Sequence, residues 1–266
     1  MIKRIGVYDS GLGGLTVVRR LWDCVSDCSI TYFGDTARLP YGEKTPAEIN
    51  LFAWQIISFL LSHRADLIVV ACNTSSALAL EKMQRRFSVP LVGVISPGVR
   101  AAVQASRSGK IGLMATKATV DSKAYEREAE KYGSRIYSVA CPLLVPIVES
   151  GRVGTEESLA VLKTYVTPLV AQGIDTLILG CTHYPYFIPE LKKLLPPEIK
   201  IVDPAEETAL EVKRRFGNCG GPKEDYYFCS GDPEEFRRRA QDLGYELNLV
   251  EKVDMDQLYP RTTFEG

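Results

Sequence analysis

Short apolar runs alternate with stretches of helical period along most of the chain, an alternation that predicts βαβ units around mainly parallel sheets. IGVYD (5–9) and SITYFGD (29–35) read as strands, with a helix over GLTVVRRLWD between them. After the loop TARLPYGEKT, residues 46–63 have helical periodicity. DLIVVAC (66–72) and PLVGVI (90–95) read as buried strands on either side of a helix over about 75–87. KIGLMAT (110–116) opens a second series. It continues with a helix over about 120–131, strand RIYSVAC, a helix over about 155–172, strand DTLILGC (175–181), a helix near 188–195 and strand KIVD.

The two series superpose. Ile5 and Ile111 lie 106 positions apart, Pro40 and Pro146 also 106, and Cys72 and Cys181 lie 109 apart. A repeat of that length implies two pseudosymmetric three-layer α/β domains, with ligands held in the cleft beyond the carboxyl ends of the strands. A tail follows: a helix over 205–215, a Gly/Asn/Pro break at 217–222, strand YYFCSG, helix PEEFRRRAQDLG and strand LNLVEKV. The tail is expected to return to the first half. That gives a discontinuous first domain of 1–96 plus 208–266 and a second domain of 97–207.

Composition narrows the function. An apolar share of 45% with 24% charged residues is ordinary for a globular protein, and a net charge of −1 gives no field suited to nucleic acid or anionic membranes. No apolar run approaches 18 residues and no charged leader precedes an apolar segment, so a cytoplasmic protein is expected. Seven irregularly spaced cysteines favour free thiols over a disulfide framework. Cys24 and Cys28 form a CxxxC without partner ligands, so no metal site is expected, and Cys141, Cys219 and Cys229 are assigned to packing or surface.

Candidate chemistry centres on Cys72 and Cys181. Each ends an apolar run that begins with an acid six positions earlier (Asp66, Asp175), and each precedes a hydroxyl-bearing turn and a helical pattern. A cysteine at a strand end is ordinarily a small buried filler. Duplication of the whole arrangement favours two thiols facing one small substrate. A helix N-terminus worth about 0.3–1 kcal/mol would lower a thiol by less than about one pH unit from its usual value near 8.5, tuning it toward neutrality. Proton exchange between thiols benefits from such tuning. Asp9-Ser10-Gly11-Leu12-Gly13-Gly14 follows the first strand; it is either an anion-holding turn or a plain strand-to-helix turn, and it matches neither Walker A nor GxGxxG. Leu39-Pro40-Tyr41-Gly42 reads as an ordered loop. His183 stands two residues after Cys181, and His63 reads as structural. Arg237-Arg238-Arg239, after Glu234 and Glu235, reads as a solvated, paired helix face.

DSGLGGLTV, PYG, ACNTSSA, ATKATV and GCTHYP, in this order and spacing, resemble the glutamate racemases from about residue 5 to the last strand. The resemblance implies a cofactor-independent isomerase that interconverts L- and D-glutamate and supplies D-glutamate for peptidoglycan. It implies that Cys72 deprotonates D-glutamate and Cys181 L-glutamate, with Asp9, His183 and Glu149 as auxiliary acid–base residues. Substrate would be held by Asp9, Ser10, Pro40, Tyr41, Gly42, Cys72, Asn73, Thr74, Thr116, Thr119, Cys181, Thr182 and His183. No pattern suggests pyridoxal phosphate or a metal. The expected partner is small-molecule glutamate, with no nucleic acid and no membrane, in a homodimer. Asp9 keeps two roles open, accepting a thiol proton or pairing with the substrate ammonium. Three alternatives stand beside this reading: another amino-acid racemase such as one for aspartate, a thiol–disulfide redox protein, which the lack of a close CxxC disfavours, and a non-catalytic amino-acid-binding protein.

Overall fold

Ten strands lie among the residues that the computed structural model describes, 3–220, 223–260 and 264. They are β1 (Arg4–Asp9), β2 (Ser29–Gly34), β3 (Leu67–Val70), β4 (Leu91–Gly93), β5 (Lys110–Ala115), β6 (Arg135–Ala140), β7 (Thr176–Gly180), β8 (Lys200–Val202), β9 (Tyr226–Cys229) and β10 (Val250–Lys252). One sheet runs β10-β9-β2-β1-β3-β4 and the other β6-β5-β7-β8, with every pair parallel. The order β2-β1-β3-β4 therefore recurs as β6-β5-β7-β8. The start of β5 lies 106 positions after that of β1, and the start of β7 109 after that of β3, so the repeat is one of structure. The tail adds β9 to the free edge of β2 and β10 beyond it.

Both faces of each sheet are covered, which is why the strands read as continuous apolar runs. In the first sheet Ile5, Val7, Ile30, Tyr32, Leu67 and Val69 pack on one side, and Tyr8, Phe33, Ile68 and Val70 on the other. In the second, Met114, Leu177 and Leu179 face one core, and Ile111, Leu113 and Ile178 the opposite one. The covering helices are α1 (Leu15–Cys24), α2 (Pro46–Ser62), α3 (Asn73–Leu78), α4 (Leu80–Arg86), α5 (Ile95–Ala105), α6 (Lys117–Ser122), α7 (Ala124–Glu130), α8 (Leu144–Glu149), α9 (Glu156–Ala171), α10 (Ile188–Leu194), α11 (Pro204–Phe216), α12 (Pro233–Asp242) and α13 (Met255–Leu258). None among the described residues is long and apolar enough to cross a membrane.

Several expectations change. The helix over 75–87 is two helices broken at Ala79, and that over 120–131 breaks at Lys123, whose φ of 56° is left-handed. Strand 247–253 shrinks to Val250–Lys252. Helices α5 and α8 were not foreseen; each carries a proline inside it, Pro97 and Pro146. The expected break at 217–222 reaches residues 221 and 222, which lie outside the described residues. Cys28 and Cys219, expected as free thiols, form a disulfide with Cα atoms 4.9 Å apart. Cys219 N donates to Ser26 O at 3.1 Å, which lays the loop after α11 beside the turn into β2, a proximity that a separation of 191 residues conceals.

Candidate active site

The carboxyl ends of β3 and β7 each deliver one thiol into one cavity of about 140 Å³ between the two sheets. Cys72 is the N-cap of α3, and its Sγ accepts from Ser75 N at 3.5 Å. Cys181 follows β7 directly and precedes a 3-10 turn at Tyr184–Phe187. Ser10, Pro40, Tyr41, Gly42, Asn73, Thr74, Thr116, Thr182 and His183 line it together with both thiols. Asp9, Thr119 and Glu149 are not lining residues and stand behind them. A cavity far below the roughly 300–1,000 Å³ of drug-sized pockets limits the ligand to a small molecule.

Contacts between the halves close the site. Thr74 Oγ1 lies 3.0 Å from Thr116 Oγ1, which lies 2.9 Å from Thr119 Oγ1, so three hydroxyls share protons across the cleft. Asn73 Oδ1 accepts from Tyr125 of α7. Thr182 Oγ1 donates to Asp9 Oδ1 at 3.1 Å, while Asp9 Oδ2 accepts from Gly11 N at 3.1 Å. Tyr41 OH donates to Asp35, anchoring the loop whose Leu39–Pro40 peptide is cis.

The surroundings of the two thiols differ. Burial first, then the charge of Asp9, pushes the Cys72 thiol up to about 12. This corrects the expected tuning toward neutrality: α3 has six residues and one distant N–H at Sγ, too little to offset desolvation. Burial also raises Asp9. Cys181 faces different groups. Its Sγ lies 3.7 Å from His183 Nδ1, and His183 Nε2 meets Glu149 Oε1 at 2.6 Å. Burial opposes a charge on His183, but hydrogen bonds to Cys181 and Glu149 outweigh it and raise the imidazole well above its ordinary value. Burial likewise opposes the Glu149 charge, yet His183 and Arg239 hold it below the usual carboxylate range.

Residues missed from sequence also line the wall: Leu39, Glu43, Lys117, Cys141, Pro142, Val145 and Pro146. Cys141, assigned to packing or surface, is one of them, and burial pushes its thiol up. It directly follows β6, so the rule that ligands gather beyond strand carboxyl ends could have found it. Arg239 departs from the solvated face expected of the arginine run, because it reaches Glu149 in the other half. Among the described residues no group of three or more His, Cys, Asp or Glu is placed to hold a metal.

Two α/β halves presenting one thiol each to a shared small cavity have the layout of an isomerase that moves a proton between opposite faces of a carbon acid. The chain belongs to the Asp/Glu/hydantoin racemase family, whose model matches residues 15–212. It is similar to the glutamate racemase of Desulforudis audaxviator, 44% identical over 94% of this chain and 97% of that one. Among solved structures it resembles glutamate racemase isoform RacE1 of Bacillus anthracis, with a TM-score of 0.90 and 36% identity over 95% of this chain and 97% of that chain. It also resembles the glutamate racemase of Francisella tularensis in complex with D-glutamate, with a TM-score of 0.87 and 33% identity over 96% and 98% of the two chains.

Proposed function

We propose that this protein racemises glutamate without a cofactor, Cys72 and Cys181 exchanging the α-proton from opposite faces of the substrate. The observation that carries the reading is the burial of both thiols in one small cavity at equivalent strand ends. Inverting a stereocentre through a planar carbanion needs an acid and a base on opposite sides, and two facing halves supply them. Cys72, pushed up by burial, rests as the thiol and suits proton donation. A protonated His183 stabilises negative charge as it develops on Cys181, and Glu149 orients that ring. Hydroxyls of Ser10, Thr74, Thr116 and Thr182, with the Asn73 amide, hold the carboxylates by hydrogen bonds, a role supported by their lining of the cavity. Asp9 and Thr119 support that wall from behind.

Glutamate as substrate is supported by the names of the relatives and by the D-glutamate in the Francisella structure. A cytoplasmic homodimer that supplies D-glutamate for peptidoglycan synthesis accompanies this reading. So does the division 1–96 plus 208–266 against 97–207, supported by the pairing of β9 with β2, although both boundaries fall inside helices, α5 and α11.

The test is solvent deuterium entering Cα of glutamate, run beside a panel of other chiral amino acids. Wash-in with glutamate is expected, and either Cys72→Ser or Cys181→Ser should abolish racemisation. No exchange by pure protein removes the enzymatic reading, turnover of aspartate without glutamate removes the substrate, and full activity in either single variant removes the two-thiol mechanism.

A further inference from the structure

Glu149 is held by more than His183. From α12, Arg239 donates Nη1 to the Glu149 carbonyl oxygen at 2.6 Å and to Oε2 at 3.1 Å, and Nη2 to Glu235 Oε1 at 2.6 Å. The other Glu149 oxygen, Oε1, meets His183 Nε2 at 2.6 Å, and His183 Nδ1 faces Cys181 Sγ at 3.7 Å. A continuous line of contacts therefore runs from the tail helix of the first sheet to the thiol of the second. The neighbouring arginines do nothing comparable: Arg237 pairs with Glu234 and Arg238 with Asp242, both on α12 itself, and both side chains are about half exposed or more. A planar guanidinium that grips a backbone oxygen and a carboxylate oxygen of the same residue fixes both the position of the chain and the rotation of the carboxylate. A point charge cannot impose that geometry.

We propose that Arg239 is a positioning residue for proton transfer at Cys181, fixing Glu149 so that the His183 ring presents Nδ1 to Sγ. The inference rests on the two-thiol reading above. It gives the tail a function beyond completing a sheet, since the half that carries Cys72 orients the machinery behind Cys181.

Full-length R239Q, R239K, E149Q and the double variant R239Q/E149Q are compared with wild type in glutamate racemisation, with R237Q as control and urea unfolding as a check on folding. R239Q is expected to lower kcat about tenfold, the lower end of what loss of a supporting hydrogen bond behind an active ligand costs. KM should move less, and R239K should recover part of the loss. The double variant should be no slower than E149Q, because residues acting through one another are not additive. With α-deuterated substrates, the isotope effect on kcat/KM should rise in R239Q for one enantiomer and fall for the other, since only the step at Cys181 is slowed. A purely structural role would slow both steps. Additive losses, isotope effects that move together, or wild-type rates in R239Q overturn the inference. A wild-type protein inactive on glutamate overturns the racemase reading and this inference with it, so the two failures are told apart.

Discussion

Cys72 Sγ accepts a backbone N–H from Ser75, whereas Cys181 Sγ faces the His183 ring at 3.7 Å with the Glu149 carboxylate behind it. The duplicated strands thus carry unequal acid–base groups, and the inequality has a consequence for stability. Glu149, with its folded value lowered, stabilises the fold above its unfolded value of about 4.3, and the contribution is lost as pH falls through the lower folded value. His183, with its folded value raised, stabilises it below its unfolded value of about 6.5, and the contribution is lost as pH rises through the raised folded value. The groups facing this pair are Cys181, Asp9 and Arg239. Glu149→Gln leaves His183 buried without its anion, which should cost about 3 kcal/mol. The deficit should be greatest near pH 5–6.5 and shrink toward acid and alkali, on the sign of the two shifts. Urea midpoints of both proteins from pH 4 to pH 10 measure it, and a deficit independent of pH would remove the ion-pair account.

At the level of elements, the turn between β1 and α1 matters because of how closely it approaches the second half. A Cβ on Gly13 would lie 2.7 Å from His183 Nδ1 and 2.8 Å from Thr182 Cβ, closer than real side-chain carbons come. Gly13→Ala must therefore displace the segment that carries the ring facing Cys181. Activity is expected to fall on the order of 100-fold for a shift approaching 1 Å, while the unfolding free energy drops by only about 1–3 kcal/mol. Initial rates beside urea melts test this, and loss of stability without loss of rate would contradict it. The glycine-rich turn was visible in the sequence, but its role was not, because the neighbour it must avoid lies about 170 residues away. The strands were legible for a local reason: LIVVA and LILG are apolar on both faces, as sheets covered on both sides require. The breaks at Ala79 and Lys123 were not, since neither position carries the glycine or proline that marks a stop. Nor was Arg239, because a run of three arginines does not reveal which one lies over another half.

Across the whole molecule, the halves are joined by pairs that no local pattern encodes: Arg239–Glu149, Thr74–Thr116 and the contact of α5 with α11, while Cys28–Cys219 ties the tail back to the first half. The last sets how the halves meet. Helix α5 packs against α7, β7 and β8 of the second sheet, and α11 packs against both α5 and α1. Arg100 of α5 pairs with Glu211 of α11 at 2.6 Å. They lie close together at Gly98, where a Cβ would come within 2.9 Å of both Cβ and Cγ of Pro204, a ring with little freedom to move aside. Gly98→Ala should wedge the two helices apart at a cost of about 1–3 kcal/mol. Because α5 and α11 carry the chain between the halves, the wedge should open the cleft that the hydroxyl contacts close. The signature is a rise in KM for both enantiomers together, with kcat/KM falling equally in both directions because the enantiomers have equal free energy. A change confined to kcat, or an unfolding midpoint equal to that of wild type, would mean that the contact is not the joint on which the halves are set.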